Sequence, residues 1–167
     1  MVAAILLVAY VRNDRIYPVF QVSEPDYPLF LAYEDLKSAL PVGTMARDIP
    51  NGLRVYTNTY WSYEMNFSQP KSVWVLMTAK GSPVQNIYPV VTMTLDHELP
   101  VILNIDTPEW KTFRKTFSAP AGKHILTVAF ENDAFQYPED RNLDIQSLCI
   151  GTTEDCRPSC EKRIQDQ

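Results

Sequence analysis

The sequence of 167 residues has few basic side chains, with 15 Lys and Arg against 20 Asp and Glu and a formal net charge of −5. Proteins that bind nucleic acid neutralise phosphates with a basic stripe, and none is present here. The composition therefore argues against a nucleic-acid partner. The apolar fraction of 46% and charged fraction of 21% are those of an ordinary globular protein with one domain and extensions.

Glycine is also scarce, with 5 residues against 13 prolines and 9 tyrosines. Proline fixes the backbone at turns, and tyrosine favours strands. This balance predicts strands and fixed turns in preference to helices. The one segment that suits a short helix is "YEDLKSAL" at 33–40, which Pro41 ends.

Residues that could carry catalysis are few. The sequence has no phosphate loop, nucleophile elbow or zinc-protease helix motif, and only His97 and His124 could act as imidazole bases. His124 continues the alternation of Leu126 and Val128, which predicts that it packs in a strand. Glu139 and Asp140 are adjacent on a loop, so nothing fixes the separation that glycoside hydrolysis requires. A binding protein is therefore favoured over an enzyme.

Cysteine is confined to the end of the chain, at Cys149, Cys156 and Cys160. Three thiolates without a nearby His make a poor zinc site, and the simpler interpretation is one local disulfide with a spare thiol. A disulfide would imply an oxidising compartment.

The apolar run at the N-terminus is too short to cross a bilayer by itself, since a spanning helix takes about 20 such residues. "MVAAILLVAYV" at 1–11 is the longest run at the N-terminus and lacks the basic start of a secretory signal. It is either a buried strand or a membrane-dipping segment, or the end of a signal or anchor if the chain is trimmed. Membrane contact through residues 1–11 therefore stays open.

Alternating apolar and polar residues predict an all-β fold. Seven or eight short strands follow one another from about residue 50, with turn residues every eight to fifteen positions. This spacing predicts an antiparallel β-sandwich or jelly roll at 50–150, with an extended Pro- and aromatic-rich arm at 1–49 and a Cys-containing tail at 151–167. The arm is not expected to form a core of its own. The residues predicted in the core of the sandwich are Val73, Val75, Val91, Met93, Leu95, Leu126, Val128 and Phe130.

The segment "ENDAFQYPEDRNL" at 131–143 is longer than a simple turn and collects carboxylates and aromatic rings. Calcium takes six to eight oxygen ligands, and Asp133 and Asp140 could close on one ion with a carbonyl or carboxylate of Glu139. The alternative is a solvated acidic loop in which Arg141 pairs with Asp133 or Asp140. The residues alone leave both interpretations open.

A family resemblance bears on this choice. The stretch "AGKHILTVAFENDAFQYPEDRNLDIQSLCI" at 121–150 resembles the C-terminal motif of calcium-dependent, xylan-binding-type carbohydrate-binding modules of families thirty-six and sixty. In these modules a strand ending in F-x-N-D leads to a loop closing with D-R-N-L and then to a last strand. Weaker similarity at 72–96 and 108–124 extends the resemblance over about residues 50–150.

The resemblance implies a small β-sandwich whose loop calcium binds vicinal sugar hydroxyls directly. It implies Asp133 and Asp140 as metal carboxylates, with Glu139 where a backbone carbonyl ligand is expected. The residues predicted to contact carbohydrate are Phe135, Tyr137 and Asn142. Two residues depart from the pattern, because Gln146 stands where an acidic residue is common and His97 replaces a glycine after Asp96.

Two hypotheses follow. The first is a non-catalytic, lectin-like module that binds a polysaccharide or glycan through Ca²⁺ outside the cytoplasm. The second is a structural subunit that uses the same sandwich as a scaffold in an extracytoplasmic or membrane-associated assembly, with protein partners at the N-terminal arm. The arm favours the second hypothesis, and the intact N-D and D-R-N-L elements favour the first.

Overall fold

The computed structural model describes residues 6–12, 15–22 and 29–152, and for the first two ranges it describes the backbone only. The elements in chain order are β1 (Leu6–Arg12), β2 (Arg15–Val22), β3 (Leu29–Ala32), α1 (Tyr33–Ser38), β4 (Ala46–Ile49), β5 (Gly52–Val55), β6 (Thr59–Phe67), β7 (Lys71–Gly81), β8 (Val90–Leu95), β9 (Val101–Asn104), β10 (Lys111–Ala119), β11 (Gly122–Phe130), β12 (Ala134–Gln136), β13 (Glu139–Arg141) and β14 (Leu143–Gly151).

The strands form two large sheets and one small hairpin. The first sheet has the order β1-β2-β6-β11-β8-β9, and the second has the order β10-β7-β14-β5-β4, with β3 also paired to β14. Among the described strands, β12 and β13 pair only with each other. The pairings of these strands are antiparallel except that of β2 with β6, which is parallel. The predicted antiparallel β-sandwich is confirmed.

The core lies between the two large sheets and follows the alternation of the strands. All eight residues predicted in the core are at most 1% exposed. Strand β14 is buried along its whole length, because it pairs with β7 on one edge and with β5 and β3 on the other. A register shift between Ile145 and Ser147 leaves Gln146 as the extra residue of a bulge.

A smaller apolar cluster lies on the outer face of the second sheet. It consists of Trp74, Leu76 and Cys149, with Phe30 packed against it. Cys149 is disulfide-bonded, and its partner cysteine lies outside the described residues. Gly151 is required beside Trp74, because a Cβ atom at this position would lie 2.1 Å from the indole ring.

Residues 29–49, assigned to the arm by sequence, contact the body of the sandwich. Leu31 in β3 and Leu36 in α1 are fully buried in the main core. The buried Trp61 Nε1 donates to the Leu36 carbonyl at 2.9 Å. Helix α1 begins after Ala32, whose N–H donates to the Asp35 carboxylate at 3.0 Å, and ends before Pro41 as predicted. The predicted domain boundary at 49–50 stays a prediction.

The apolar N-terminal run contributes the edge strand β1 of the first sheet, and residues 1–5 lie outside the described part. Within residues 6–12, 15–22 and 29–152, no helix is long and apolar enough to cross a membrane. Membrane contact through residues 1–11 stays a prediction.

We expect Leu36→Ala to lower the free energy of unfolding by about 2–5 kcal/mol, because the substitution leaves a cavity in a fully packed site. Urea denaturation measures the change. Val42→Ala in the same region is the matched control, since Val42 is fully exposed and its truncation should change stability by less than about 0.5 kcal/mol. Equal effects of the two substitutions would show that α1 does not belong to the core.

Candidate functional site

The carboxylate-rich segment forms a tight hairpin made of β12 and β13. Its register pairs Ala134 with Arg141, Phe135 with Asp140, and Gln136 with Glu139, and Tyr137 and Pro138 form the tip. Directly opposite residues share a face, and successive residues alternate between faces. The hairpin therefore has two chemically different faces, one with Glu139 and Arg141 and the other with Phe135 and Asp140.

The face with Glu139 and Arg141 lies against the turn Val84–Ile87. Val84 and Ile87 exchange backbone hydrogen bonds of 3.1 and 2.9 Å, and the two central residues have φ of 51° and 63°. Two left-handed residues in succession are the signature of a type I′ turn. The Glu139 Oε2 atom accepts a hydrogen bond of 2.7 Å from the Gln85 N–H, which fastens the hairpin to this turn.

Arg141 holds the same face with its guanidinium. It is 8% exposed and donates to the carbonyl oxygens of Ile87 at 2.7 Å, Asn132 at 2.6 Å and Val84 at 3.2 Å. Within the described residues, no ion pair joins it to Asp133 or Asp140. The structure therefore does not support the alternative in which Arg141 pairs with these carboxylates.

The opposite face of the hairpin carries side-chain oxygens that could bind a metal ion. Asp133 and Asn142 flank the Ala134–Arg141 pair at the base of the hairpin, so alternation places them on the same face as Phe135 and Asp140. Burial first, and then the charge of Asp140, raise the pKa of Asp133. The hydrogen bond with the Ala134 N–H and the charge of Arg141 act against this rise. The influence of Asp140 indicates that the two carboxylates are close in space.

Among the described residues, two oxygens on this face are buried without a hydrogen-bond partner, Asp133 Oδ1 and Asn142 Oδ1. A buried acceptor without a donor costs about 1–3 kcal/mol, so such atoms are rare, and a bound ion is one of the partners that can satisfy them. Both atoms are hard oxygens of the type that calcium prefers. The residues present therefore fit a hard cation.

The predicted set of three carboxylates is not brought together. Within the described part of the chain, no group of three or more His, Cys, Asp or Glu side chains could hold a metal ion. The Glu139 carboxylate lies on the other face and accepts a hydrogen bond from Gln85. Of the two ligand atoms considered for Glu139, only its backbone carbonyl oxygen is left for a metal ion. A metal site here would consist of Asp133, Asp140 and the amide oxygen of Asn142.

The residues predicted to contact carbohydrate differ in exposure. Phe135 is 71% exposed and Tyr137 is 87% exposed, whereas Asn142 is 5% exposed. The two rings are open to solvent at the outer part of the hairpin. Asn142 lies at its base, where its N–H donates to Ser82 Oγ at 3.0 Å.

Comparison with known families identifies the chain. The model of the calcium-dependent, xylan-binding carbohydrate-binding modules of family 60 matches residues 75–162, more than half of the sequence. The chain belongs to this family. The match includes the whole hairpin, so the module carries its candidate ligands in the part that defines the family.

Solved structures with low sequence identity share the fold of the module. The C-terminal family 6 module of a laminarinase from Zobellia galactanivorans has a TM-score of 0.51 at 15% identity, over 75% of this chain and 99% of that chain. A family 36 module of a xylanase from the hindgut metagenome of Trinervitermes trinervoides has a TM-score of 0.54 at 16% identity, over 75% and 98%. A family GH115 glucuronidase has a TM-score of 0.51 at 10% identity, over 75% of this chain but only 18% of that enzyme. No curated protein matches the sequence.

Sequence reasoning missed the residues that brace the hairpin of the module. Asn132 is fastened to the segment that starts β8, because its Oδ1 accepts from the Val90 N–H at 2.7 Å and its Nδ2 donates to the Tyr88 carbonyl at 3.0 Å. Ser82 Oγ donates to the Asp140 carbonyl at 2.6 Å. Asn132 is part of the F-x-N-D motif and could have been found there, whereas no local pattern marks Ser82.

His124 packs in the module as predicted, and both of its ring nitrogens are engaged. It is 7% exposed, with Nδ1 2.7 Å from Asp96 Oδ2 and Nε2 2.9 Å from the Pro120 carbonyl. Burial lowers the pKa of His124, but the hydrogen bonds to Asp96 and Pro120 and the charge of Asp96 outweigh burial and raise it overall. Both partners accept, so the doubly protonated ring satisfies them best.

We expect His124→Asn to cost more stability at about pH 6 than at about pH 9. A histidine whose pKa is raised by folding stabilises fully below its unfolded pKa of about 6.5, and this contribution is lost as the pH rises through the folded value. Urea denaturation of wild type and variant at both pH values measures the difference. His97→Asn is the control, because His97 is exposed. A cost for His124→Asn that is independent of pH would contradict the assigned protonation.

Proposed function

We propose that this module is a non-catalytic binding domain that uses calcium to bind a polysaccharide. The ion would lie at the hairpin face that carries Asp133, Asp140 and Asn142. The two buried acceptors without partners, Asp133 Oδ1 and Asn142 Oδ1, are the observation that carries the proposal. They share a face with Asp140, and the family is described as calcium-dependent. Calcium, when bound, supplies a hard Lewis acid with coordination positions open to sugar hydroxyls.

The protein side of the proposed site is fixed before any ligand arrives. Ser82 holds the base of the hairpin, with its backbone N–H donating to the Asn142 carbonyl at 3.1 Å and its Oγ donating to the Asp140 carbonyl. Asn58 Oδ1 accepts from the Asp133 N–H at 2.8 Å. These bonds restrict the three proposed ligands, so less conformational entropy is lost when an ion binds. The proposal therefore assigns Asn142 to the ion and not to the sugar.

The exposed rings of Phe135 and Tyr137 supply an apolar surface for a sugar. Phe135 lies opposite Asp140 on the same hairpin face, which places a ring beside a proposed ligand of the ion. Phe135 and Tyr137 are two positions apart on the hairpin, so alternation gives them the same face, and neighbouring exposed rings form an apolar patch of the kind that marks binding sites. Hydroxyl groups would meet the ion, while the apolar face of the sugar ring would meet the aromatic side chains. Because the family is xylan-binding, xylan is the first polysaccharide to test.

Binding without catalysis fits the chemistry of the module. Both nitrogens of His124 already have partners, and the family consists of binding modules. A location outside the cytoplasm is supported by the disulfide at Cys149, because disulfides persist in oxidising compartments. The second hypothesis, a structural subunit with protein partners at the N-terminal arm, receives no support from the comparisons and stays a prediction.

We expect millimolar calcium to raise the melting temperature of the module, and Asp133→Asn or Asn142→Ala to abolish the rise. An ion that binds only the folded state stabilises it by about 2.7 kcal/mol at one hundred times its dissociation constant. Differential scanning fluorimetry with calcium, with magnesium and with chelator measures the shift.

Asp106→Asn is the matched control for these variants, because Asp106 is 61% exposed and its carboxylate pairs with Lys111. This variant should keep the full response to calcium. If calcium leaves the melting temperature of the wild type unchanged over the whole range, the hairpin does not hold the ion.

We further expect Tyr137→Ala to weaken binding to xylan by about tenfold without changing the calcium response. The ring is 87% exposed, so its loss should remove sugar contact and leave folding intact. Stacking on an aromatic ring is worth about 1–1.5 kcal/mol, which corresponds to a factor of about ten. Affinity electrophoresis in soluble xylan, with and without chelator, measures both effects. Binding that survives chelation would exclude contact between the ion and the sugar.

A further inference from the structure

A row of charged side chains crosses the outer face of the second sheet. Lys80 of β7 lies opposite Asp144 of β14, Asp144 lies opposite Arg54 of β5, and Arg54 lies opposite Arg47 of β4. Opposite residues share a face, and adjacent strands are about 4.8 Å apart, so the row extends over about 14 Å. We call Lys80, Asp144, Arg54 and Arg47 the cationic row.

Asp144, the carboxylate of the row, is bound by Arg54 through both of its oxygens. Arg54 Nε and Nη2 each donate to Asp144 at 2.7 Å, and Asp144 is 3% exposed. Within the described residues, no carboxylate lies within 4 Å of Lys80 or Arg47. Three cations and one carboxylate give the row a charge of +2, in a chain whose net charge is −5.

The two cations without a carboxylate lie over aromatic rings. Lys80 Nζ is 4.7 Å from the centroid of the Trp110 ring, and Arg47 Cζ is 5.5 Å from that of Tyr56. Trp110 lies so close to β5 that a Cβ atom at Gly52 would be 2.7 Å from its ring. An aromatic ring orients a cation without neutralising it, so the positive charge stays available to an anion.

The cationic row lies next to the proposed calcium site. Asp144 follows Asn142 by two residues in the chain. The hydrogen bond with Asp144 is the main cause of the raised pKa of Arg54, and the charge of Asp140 on the hairpin contributes to the same rise. A polymer bound at the hairpin can therefore reach the row.

We propose that the cationic row binds the carboxylates of a uronic-acid-bearing polysaccharide, so that this module prefers acidic over neutral chains. The choice of a carbohydrate rests on the proposed function, and the choice of an acidic one rests on the charge of the row. Guanidinium groups bind carboxylates with directed hydrogen bonds, and the rings of Trp110 and Tyr56 add apolar surface beside them. The Arg54 Nη1 group has no acceptor among the described residues and can donate to such a carboxylate.

The test compares a glucuronic-acid-substituted xylan with the same polymer after reduction of its carboxyl groups. Wild type should bind the acidic polymer more tightly, and added salt should reduce the difference. Arg47→Gln and Lys80→Gln should each weaken binding to the acidic polymer by about fivefold and leave binding to the reduced polymer unchanged. Arg54 is left intact, because its loss would strand the buried Asp144 carboxylate.

Lys123→Gln is the matched control, since it removes the same charge from a side chain that is 73% exposed on the first sheet. It should leave the preference for the acidic polymer unchanged. An equal loss with Lys123→Gln, or equal binding of a sulfated polymer or nucleic acid, would overturn the proposal in favour of nonspecific attraction of anions.

The design separates this proposal from the proposed function. The reduced polymer has no carboxylates for the cationic row to bind. Its loss of binding in chelator therefore tests the calcium site alone. A preference for the acidic polymer that persists in chelator and disappears in Arg47→Gln supports the cationic row even if the calcium site fails. Equal affinity of wild type for the two polymers overturns the cationic row even if calcium binding is found.

Discussion

The guanidinium of Arg141 is the constraint on which the candidate site depends. Its three hydrogen bonds to the carbonyls of Ile87, Asn132 and Val84 fasten one face of the hairpin to the body of the sandwich. A charged group this deeply buried is tolerated only when its donors are satisfied, and main-chain carbonyls satisfy them without neutralising nearby carboxylates. The same contacts therefore hold the hairpin and leave the opposite face to oxygen ligands.

The two faces of the hairpin differ in how their polar groups are satisfied. On one face, the charged groups of Glu139 and Arg141 form hydrogen bonds with the backbone of the 84–87 turn. On the other, Asp133 and Asn142 each bury an oxygen that has no hydrogen-bond partner among the described residues. Such an arrangement costs stability in isolation, which is common where a site is prepared for a ligand. The exposed rings of Phe135 and Tyr137 on the same hairpin face would add an apolar surface for the sugar beside the proposed ion.

On the second sheet, an ion pair likewise fixes the position of a charged group. The ion pair of the half-buried Arg54 and the buried Asp144 contributes little net stability by itself, because removing Asp144 and part of Arg54 from water opposes their attraction. Its effect is positional, since the pair fixes Arg54 in line with Lys80 and Arg47. The net positive row thus sits beside a hairpin of acidic residues, and an extended acidic polymer with hydroxyl groups complements both.

The sequence by itself determined the sandwich and the position of the hairpin. Alternation of apolar residues fixes which side chains face the core, because a slip by one residue would expose all eight predicted core residues, and the F-x-N-D and D-R-N-L elements located the hairpin. Only the tertiary structure decided that Glu139 lies on the opposite face from Asp140, and that Arg141 binds carbonyls. Those outcomes depend on the hairpin register and on the distant Val84–Ile87 turn, which no local pattern specifies. The cationic row likewise joins the β4–β5 hairpin to β14 and β7, which are distant in the chain, and only the pairing of these strands brings the row together.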